Sequence, residues 1–228
     1  MKILYVVAES DNDAYFYALC AEMMTGFGYE LVAIRSRKRS GYSAVEKLVK
    51  GNLRKARREA NGGADVSFIA GIDNDRTPHP ENASMDRQKL NDEERNRGSR
   101  LDWLTDVYRK ELENDPLARR LQTAIAVPVE MLEAWIVQAL RESELQPARY
   151  FSKSESQRAR AFYHPTEPPP QWKDLAAEEQ ARVEIANKQS FYLHVVSTMD
   201  MDALAKRSLS FRIFKDALAL WTGAVPAG

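Results

Sequence analysis

Two alternating periodicities constrain the fold of this chain more than any other feature. Over residues 1–145, short runs rich in β-branched and aromatic residues, typical of buried strands, are each followed by a segment whose apolar residues recur at helical spacing. Strands that alternate with helices are joined by crossovers, which place the strands parallel in one sheet covered on both faces. The four predicted strands are KILYVVA (2–8), YELVAIRSR (29–37), ADVSFIAGI (64–72) and QTAIAVPVE (122–130).

The intervening segments predict helices with recognisable ends. Ser10 or Asp11 is expected to cap the first helix, and Gly26 is expected to end it. Two later helices are predicted in LDWLTDVYRKELEN (101–114) and EMLEAWIVQALRES (130–143). The second helix of the chain combines a basic face with an apolar face, which is formed by Val45, Leu48, Val49, Leu53 and Ala56.

The pattern changes past Leu145. A Pro- and Arg-containing loop is predicted over 151–172, followed by three helical segments. We therefore expect an α/β fold with a mostly parallel sheet of about four strands in a domain spanning 1–145, and a helical C-terminal extension spanning 146–228. The last helix carries an apolar stripe that we expect to dock onto the core, formed by Phe211, Phe214, Leu218 and Trp221.

The charge and cysteine content of the chain limit the kinds of function that it can have. Equal numbers of acidic and basic residues, 33 of each, give no net field that would attract a nucleic acid or a membrane. Residues 35–58 are nonetheless strongly basic, with Glu46 as the one acid, and this pattern is typical both of a solvated helix face and of a phosphate-binding surface. The single Cys20 and an N-terminal apolar run too short for a signal peptide or membrane span predict a cytoplasmic protein without membrane association.

Acidic residues follow three of the predicted strands. Glu9 follows the first, Asp73 and Asp75 follow the third, and Glu130 ends the fourth, with Glu133 on the same face of the next helix. The carboxyl ends of parallel strands meet at one edge of a sheet, so these carboxylates are expected to converge there. Converging carboxylates repel one another unless a cation compensates them, and ligation by oxygen alone favours Mg²⁺ or Mn²⁺.

Other readings of these residues stay open. A D-x-D motif by itself is also typical of a turn or a helix cap. The chain has no histidine or cysteine pair at zinc spacing, no P-loop, no dinucleotide fingerprint and no nucleophile elbow.

The sequences YVVAESDND (5–13) and FIAGIDNDR (68–76) resemble the Toprim fold, a metal-binding α/β domain found in type IA topoisomerases, bacterial primases and OLD-type nucleases. VPVEMLEAW (127–135) and LAKRSLSFRIFKDAL (204–218) are similar to features of small stand-alone Toprim proteins, including RloB-like ones. The resemblance covers roughly residues 1–140 and is weaker in the tail. Two departures are Ser10, which stands where the family usually has glycine, and a longer spacing before Asp73.

The resemblance implies a role for each acid. Glu9 takes the place of the family's invariant acid, and Asp73 and Asp75 take the place of its metal-binding D-x-D. Glu133 matches the later acid of the nuclease branch, with Glu130 as a competitor. Asp13 falls where many members carry an acid, and Glu9 or Asp13 is expected to relay the proton of the attacking water.

The resemblance further implies a nuclease that uses Mg²⁺ or Mn²⁺ to cleave DNA, with RNA as the other candidate substrate. The same resemblance implies that it acts with an ATPase partner of the ABC/OLD or AAA type in phage defence. Assembly as a homo-oligomer or hetero-complex follows the same analogy. Lys188 and Lys206 are candidates for the lysine that OLD-type nucleases use.

Two functions are alternatives to the nuclease: a non-catalytic adaptor built on the same scaffold and an enzyme acting on a nucleotide or other small phosphate ester. The expected nucleic-acid-binding residues are Arg37, Lys38, Arg39, Lys50, Arg54, Lys55, Arg58, Arg158 and Arg160.

Overall fold

The computed structural model describes residues 2–35, 42–73, 100–112, 121–128, 132–139 and 176–223. Within these ranges four strands form one sheet in which all neighbours are parallel, in the order β2-β1-β3-β4. The prediction of a parallel four-stranded α/β fold is therefore confirmed. The strands are β1 (Lys2–Val7), β2 (Tyr29–Ile34), β3 (Val66–Gly71) and β4 (Gln122–Ala126).

Helices cover both faces of this sheet. One face carries α1, α4 and the three C-terminal helices, and the other carries α2 and α3. Both central strands, β1 and β3, are enclosed between these layers, which explains why β3 is a continuous run of buried residues. The described helices are α1 (Asp11–Thr25), α2 (Tyr42–Asn61), α3 (Arg100–Leu112), α4 (Leu132–Ala139), α5 (Ala177–Thr198), α6 (Met201–Arg207) and α7 (Leu209–Leu220). None of these helices has the length and apolar composition needed to cross a membrane.

Local capping chemistry sets the ends of α1. The side chain of Ser10 accepts a hydrogen bond from the backbone N–H of Asp13 at 3.1 Å, so Ser10 is the cap of the two residues predicted. Ser10 has extended backbone angles, which any residue adopts, so this turn does not require the glycine usual in the Toprim family. Gly26 ends the helix in the left-handed conformation, as predicted, with φ at 69°.

The C-terminal helices complete the core on the α1 face. Phe211, Phe214, Leu218 and Trp221 are buried, which confirms the predicted docking of this stripe. Phe214 stacks on the buried ring of Trp135 with centroids 5.7 Å apart. The predicted boundary at residue 145 and the loop 151–172 lie outside the described residues.

The strand order predicts a ligand-binding crevice at the carboxyl ends of β1 and β3. The helix that follows β1, α1, lies on one face of the sheet, whereas α3, the next described helix after β3, lies on the other. Open α/β sheets bind ligands at the carboxyl end of such a reversal of strand order. Residues just beyond Val7 and Gly71 therefore border the crevice.

A glycine at the end of β3 makes room for a tyrosine beneath this crevice. A Cβ placed on Gly71 would lie 2.7 Å from Cδ2 and 2.9 Å from Cζ of Tyr17, and closer still to Cε2. Tyr17 is itself enclosed, with its ring edge-on to Trp135, Phe214 and Phe16. Since these neighbours contact the Tyr17 ring on several sides, the ring cannot move aside to make room for a side chain at position 71.

Gly71→Ala should lower the free energy of unfolding by about 1–3 kcal/mol because the added methyl group overpacks the core against Tyr17. Gly51→Ala is the matched control, since Gly51 lies in α2 with no atom within 4 Å of an added Cβ. The control should raise stability by about 0.5–1 kcal/mol through helix propensity. Urea unfolding of both variants checks this, and equal stability of the two would contradict the packing described.

Candidate functional site

Glu9 and Asp73 lie at the carboxyl ends of two adjacent strands. Each follows its strand by two residues, and β1 and β3 pair in parallel with Val7 opposite Ala70. The chain directions and the register thus bring both carboxylates to the crevice at the strand reversal. Asp13, in the first turn of α1, starts from the same edge.

The charges of these three acids all act on the phenol of Tyr17. Burial, followed by the nearby charges of Asp73, Asp13 and Glu9, raises the pKa of Tyr17 well above its ordinary value. All three carboxylates therefore lie close enough to act on one buried hydroxyl group. We refer to Glu9, Asp13, Asp73 and the Tyr17 ring beneath them as the carboxylate crevice.

Arg100 supplies the positive charge in the crevice. Its Nη1 lies 3.9 Å from Oε1 of Glu9 and also donates a hydrogen bond to the backbone carbonyl of Asp73. The Arg100 side chain is only 11% exposed and that of Glu9 is 25% exposed, so solvent screens this pair less than a surface pair. Sequence reasoning missed Arg100, because nothing in the polar stretch before α3 distinguishes it from neighbouring arginines.

The carboxylate of Asp73 also has a structural partner. Its Oδ1 accepts a hydrogen bond from the backbone N–H of Leu132 at 3.0 Å, at the start of α4. The first N–H groups of a helix have no partner within the helix, and a negative charge there is favourable. Asp73 thus caps a helix that is distant in sequence, and this role agrees with the cap reading of the D-x-D motif.

The described carboxylates fit a hard divalent ion in the type of donor they offer, since all are oxygens. Among the described side chains, however, no group of three or more His, Cys, Asp or Glu residues is arranged to hold a metal ion. Asp75 and Glu130 lie outside the described residues. Glu133 belongs to α4, whose first residue is the one capped by Asp73.

The basic residues of α2 are distributed along the whole helix. α2 starts after β2 and ends before β3, so its last turns lie at the amino edge of the parallel sheet, opposite the carboxylate crevice. Arg54 forms a two-fold hydrogen bond with Glu111 of α3, at 2.6 and 2.7 Å, and Arg57 donates to the Glu111 carbonyl. Glu111 lies outside the segment 35–58, so it was absent from the charge count made there on the sequence.

The remaining predicted basic residues fall in several places. Lys55 lies 3.9 Å from the Glu59 carboxylate and over the ring of Tyr5, and Arg58 is exposed. Lys188 is half-buried on α5, which packs along α1, and Lys206 is exposed on α6. Lys50 is half-buried on α2. The residues outside the described ranges are Arg37, Lys38, Arg39, Arg158 and Arg160.

Comparisons with known proteins found no relative. No protein-family model, curated protein or solved structure matched the chain. The Toprim assignment therefore stays a prediction based on the motifs, and the functional argument depends on the fold and on the geometry of the crevice.

Two substitutions of Asp73 separate its structural role from its charge. Both Asp73→Asn and Asp73→Ala remove the negative charge, but the asparagine keeps an oxygen that can accept the Leu132 N–H. Asp73→Ala should therefore be less stable than Asp73→Asn by about 1 kcal/mol, the usual cost of losing a side-chain cap. Urea unfolding measures the difference, and equal stability would show that the cap contributes nothing.

The contact between α2 and α3 should depend on pH. The hydrogen bond from Arg54 lowers the pKa of Glu111 below its ordinary value of 4.5. A carboxyl group with a lowered pKa contributes stability above its unfolded pKa and loses that contribution as the pH falls through the folded pKa. The stability difference between wild type and Arg54→Ala should thus be largest near pH 7 and shrink below about pH 4.5.

Arg58→Ala is the matched control for this pH dependence, because Arg58 is exposed on the same helix. Its stability difference from wild type should change little between pH 7 and pH 3, as measured by urea unfolding at each pH. A pH-independent effect of Arg54→Ala would contradict a contribution from the Glu111 pair.

Proposed function

We propose that this chain is a divalent-metal-dependent nuclease of the Toprim type that hydrolyses phosphodiester bonds in DNA or RNA. The observation that supports this most is the meeting of Glu9 and Asp73 at the carboxyl ends of two adjacent parallel strands, where the strand order reverses. Like charges in a partly enclosed position are unfavourable unless they are compensated, and Arg100 compensates them only in part, so we look for a functional reason for their placement.

In this proposal Glu9 and Asp73 hold Mg²⁺ or Mn²⁺, with Asp75 and either Glu130 or Glu133 as further ligands. The bound ion would supply Lewis-acid activation of water and stabilisation of the leaving oxygen. The hydrogen bond from Leu132 orients the Asp73 carboxylate, and the positive charge of Arg100 lies 3.9 Å from Oε1 of Glu9. Glu9 or Asp13 accepts the proton of the attacking water.

The apolar floor of the crevice supports the same chemistry. Tyr17 and its neighbours Phe16, Trp135 and Phe214 are fully enclosed beneath the acids. Interactions between charges are stronger beside a low-dielectric core than in water, and a rigid floor keeps the acids in fixed positions. Tyr17 thus serves the proposed site as a support, since burial and the surrounding acids keep its hydroxyl protonated.

We propose that nucleic acid approaches the edge of the sheet that carries the crevice. The first turns of α2 lie at this edge, where Lys47 is exposed. Arg54 and Arg57 are engaged by Glu111 near the opposite edge, and the charge of Lys50 also acts on Glu111. Arg37, Lys38 and Arg39 precede α2 in the chain and belong to the same proposed surface. Phosphate contacts of this kind give sequence-tolerant binding that weakens as salt increases.

The resemblance also supports an ATPase partner of the ABC/OLD or AAA type, with phage defence as the setting. In that case the nuclease is controlled by the ATPase and is weak when isolated. Co-purification with an ATPase encoded nearby would support this part of the proposal, and full activity of the isolated monomer would count against it.

One observation favours a second candidate, a non-catalytic adaptor built on the same scaffold. Arg100 already compensates part of the negative charge in the crevice, as expected in a scaffold that binds no ion. Ion binding discriminates between the candidates, because an adaptor does not need Glu9 and Asp73 as ligands of Mn²⁺ whereas the nuclease does.

A cleavage assay with purified protein tests the main proposal. Cleavage of DNA or RNA should require Mg²⁺ or Mn²⁺, and Glu9→Gln or Asp73→Asn should reduce it by more than the roughly 10–100-fold typical of residues behind a metal site. Asp65→Asn is the matched control, since Asp65 pairs with Lys2 at the amino edge of the sheet and should leave cleavage unchanged. If Asp73→Asn cleaves as well as wild type, the proposed site is wrong.

A further inference from the structure

We propose that α7 forms the interface of a symmetric dimer, in which an exposed apolar side of this helix packs antiparallel against the same side of a second copy of the chain. The inference goes beyond the proposed function, because it assigns a surface through which the chain assembles. It depends on an apolar stripe, on two charges beside that stripe, and on a spacing that makes both self-complementary.

The first feature is an apolar stripe on α7 that solvent reaches. Side chains spaced by three or four residues share one side of a helix. The stripe with this spacing consists of Leu209, Ile213, Ala217 and Leu220. Leu220 is 61% exposed and Ile213 is 36% exposed, while Leu209 and Ala217 are half-buried. The other apolar side of α7 packs on the core, so the fold of the described residues uses only one of the two sides.

The second feature is a pair of opposite charges along one border of this stripe. Arg212 and Asp216 are four residues apart, so they lie on the same side of α7. Within the part of the chain that the structure describes, neither side chain forms an ion pair, whereas the neighbouring Lys215 pairs with Asp202 at 2.8 Å. A basic residue that precedes an acid by four residues is the less favourable order for a pair within one helix. Both charges are therefore available to a group outside α7.

An antiparallel pairing of α7 with its copy satisfies the stripe and the charges together. In a two-fold interface, when one residue contacts a second residue of the copy, the second contacts the first in return. The register that sets Leu209 opposite Leu220 of the second copy also sets Arg212 within one residue of Asp216 of that copy, an offset of about 1.5 Å along the helix. The symmetric dimer thus contains two leucine contacts and two ion pairs, with the Ile213 side chains near the axis.

The size of the stripe sets the strength of the dimer. α7 has 12 residues and is about 18 Å long, so the stripe buries less than the roughly 800 Å² per partner of a standard interface. We therefore expect a reversible dimer with a Kd on the order of 100 µM.

The test exchanges the charges and measures association of the full chain by sedimentation equilibrium, at protein concentrations from about 10 µM to 1 mM. Wild type should show a concentration-dependent equilibrium between monomer and dimer. Arg212→Glu sets acids opposite acids and Asp216→Arg sets arginines opposite arginines, so each variant should raise the Kd roughly tenfold. An equal mixture of the two variants should associate within a few-fold of wild type, because each variant then meets the opposite charge across the interface.

Three further variants act as checks. Leu220→Ser should weaken the dimer, whereas Leu193→Ser, at a leucine of α5 with 51% exposure, should not. Arg58→Glu is the control for the charge exchange, since Arg58 is exposed on α2 at the other face of the sheet. Circular dichroism of each variant at low concentration should match that of wild type, because all of these side chains are exposed or half-buried.

Each outcome decides the proposal. A wild type that stays monomeric up to 1 mM overturns it, as does a dimer that both single exchanges leave intact, because another surface then forms the contact. If the single exchanges weaken the dimer and their mixture does not recover it, the antiparallel arrangement is wrong. Recovery in the mixture supports the proposal, since only pairing between chains explains it. The nuclease proposal is decided separately by the cleavage assay.

Discussion

Parallel pairing between β1 and β3 is the interaction on which the candidate site depends. It brings two acids that are far apart in the chain to one edge of the sheet, at the reversal of strand order where open α/β sheets bind ligands. Neither acid would be near the other in a sheet with a different strand order. The position of the carboxylates is thus a property of the topology, and the remaining contacts of the site adjust to it.

Groups from two separate helices compensate the negative charge of these two carboxylates. Arg100 comes from α3 on one face of the sheet, and the Leu132 N–H comes from α4 on the other. Both contacts also stabilise the fold. Arg100 donates a hydrogen bond to the end of β3, and the hydrogen bond between Asp73 and the Leu132 N–H caps α4. Carboxylates placed above an enclosed aromatic floor are costly, and this distribution of partners limits the cost without requiring a fully neutralised pair.

Local chemistry explains why much of the fold was predictable from the sequence. The strands are runs of β-branched and aromatic residues, the Ser10 cap and the Gly26 stop are local signals, and the stripe containing Phe211 and Trp221 repeats at helical spacing. The meeting of Glu9 and Asp73 followed from the same pattern, because parallel strands end at a common edge.

The contacts that were missed all depend on tertiary structure. Arg100 has no distinguishing neighbour in sequence, and the pairing of Arg54 with Glu111 joins two helices whose relative position no local pattern gives. The cap that Asp73 provides for Leu132 is equally remote. Sequence periodicity identifies which face of a helix is buried, but it does not identify which charged groups meet across the packed surface.

The packing of Tyr17 against Gly71 has a mechanical consequence. Because the ring occupies the volume where other residues carry a side chain, the end of β3 and the first helix interlock with no intervening layer that can deform. A displacement of Asp73 by a bound molecule would therefore be transmitted through this contact to α1, and from there to the helices of the C-terminal part that pack on it. The crevice, α1 and the C-terminal helices that pack on α1 are therefore expected to move together as one rigid unit.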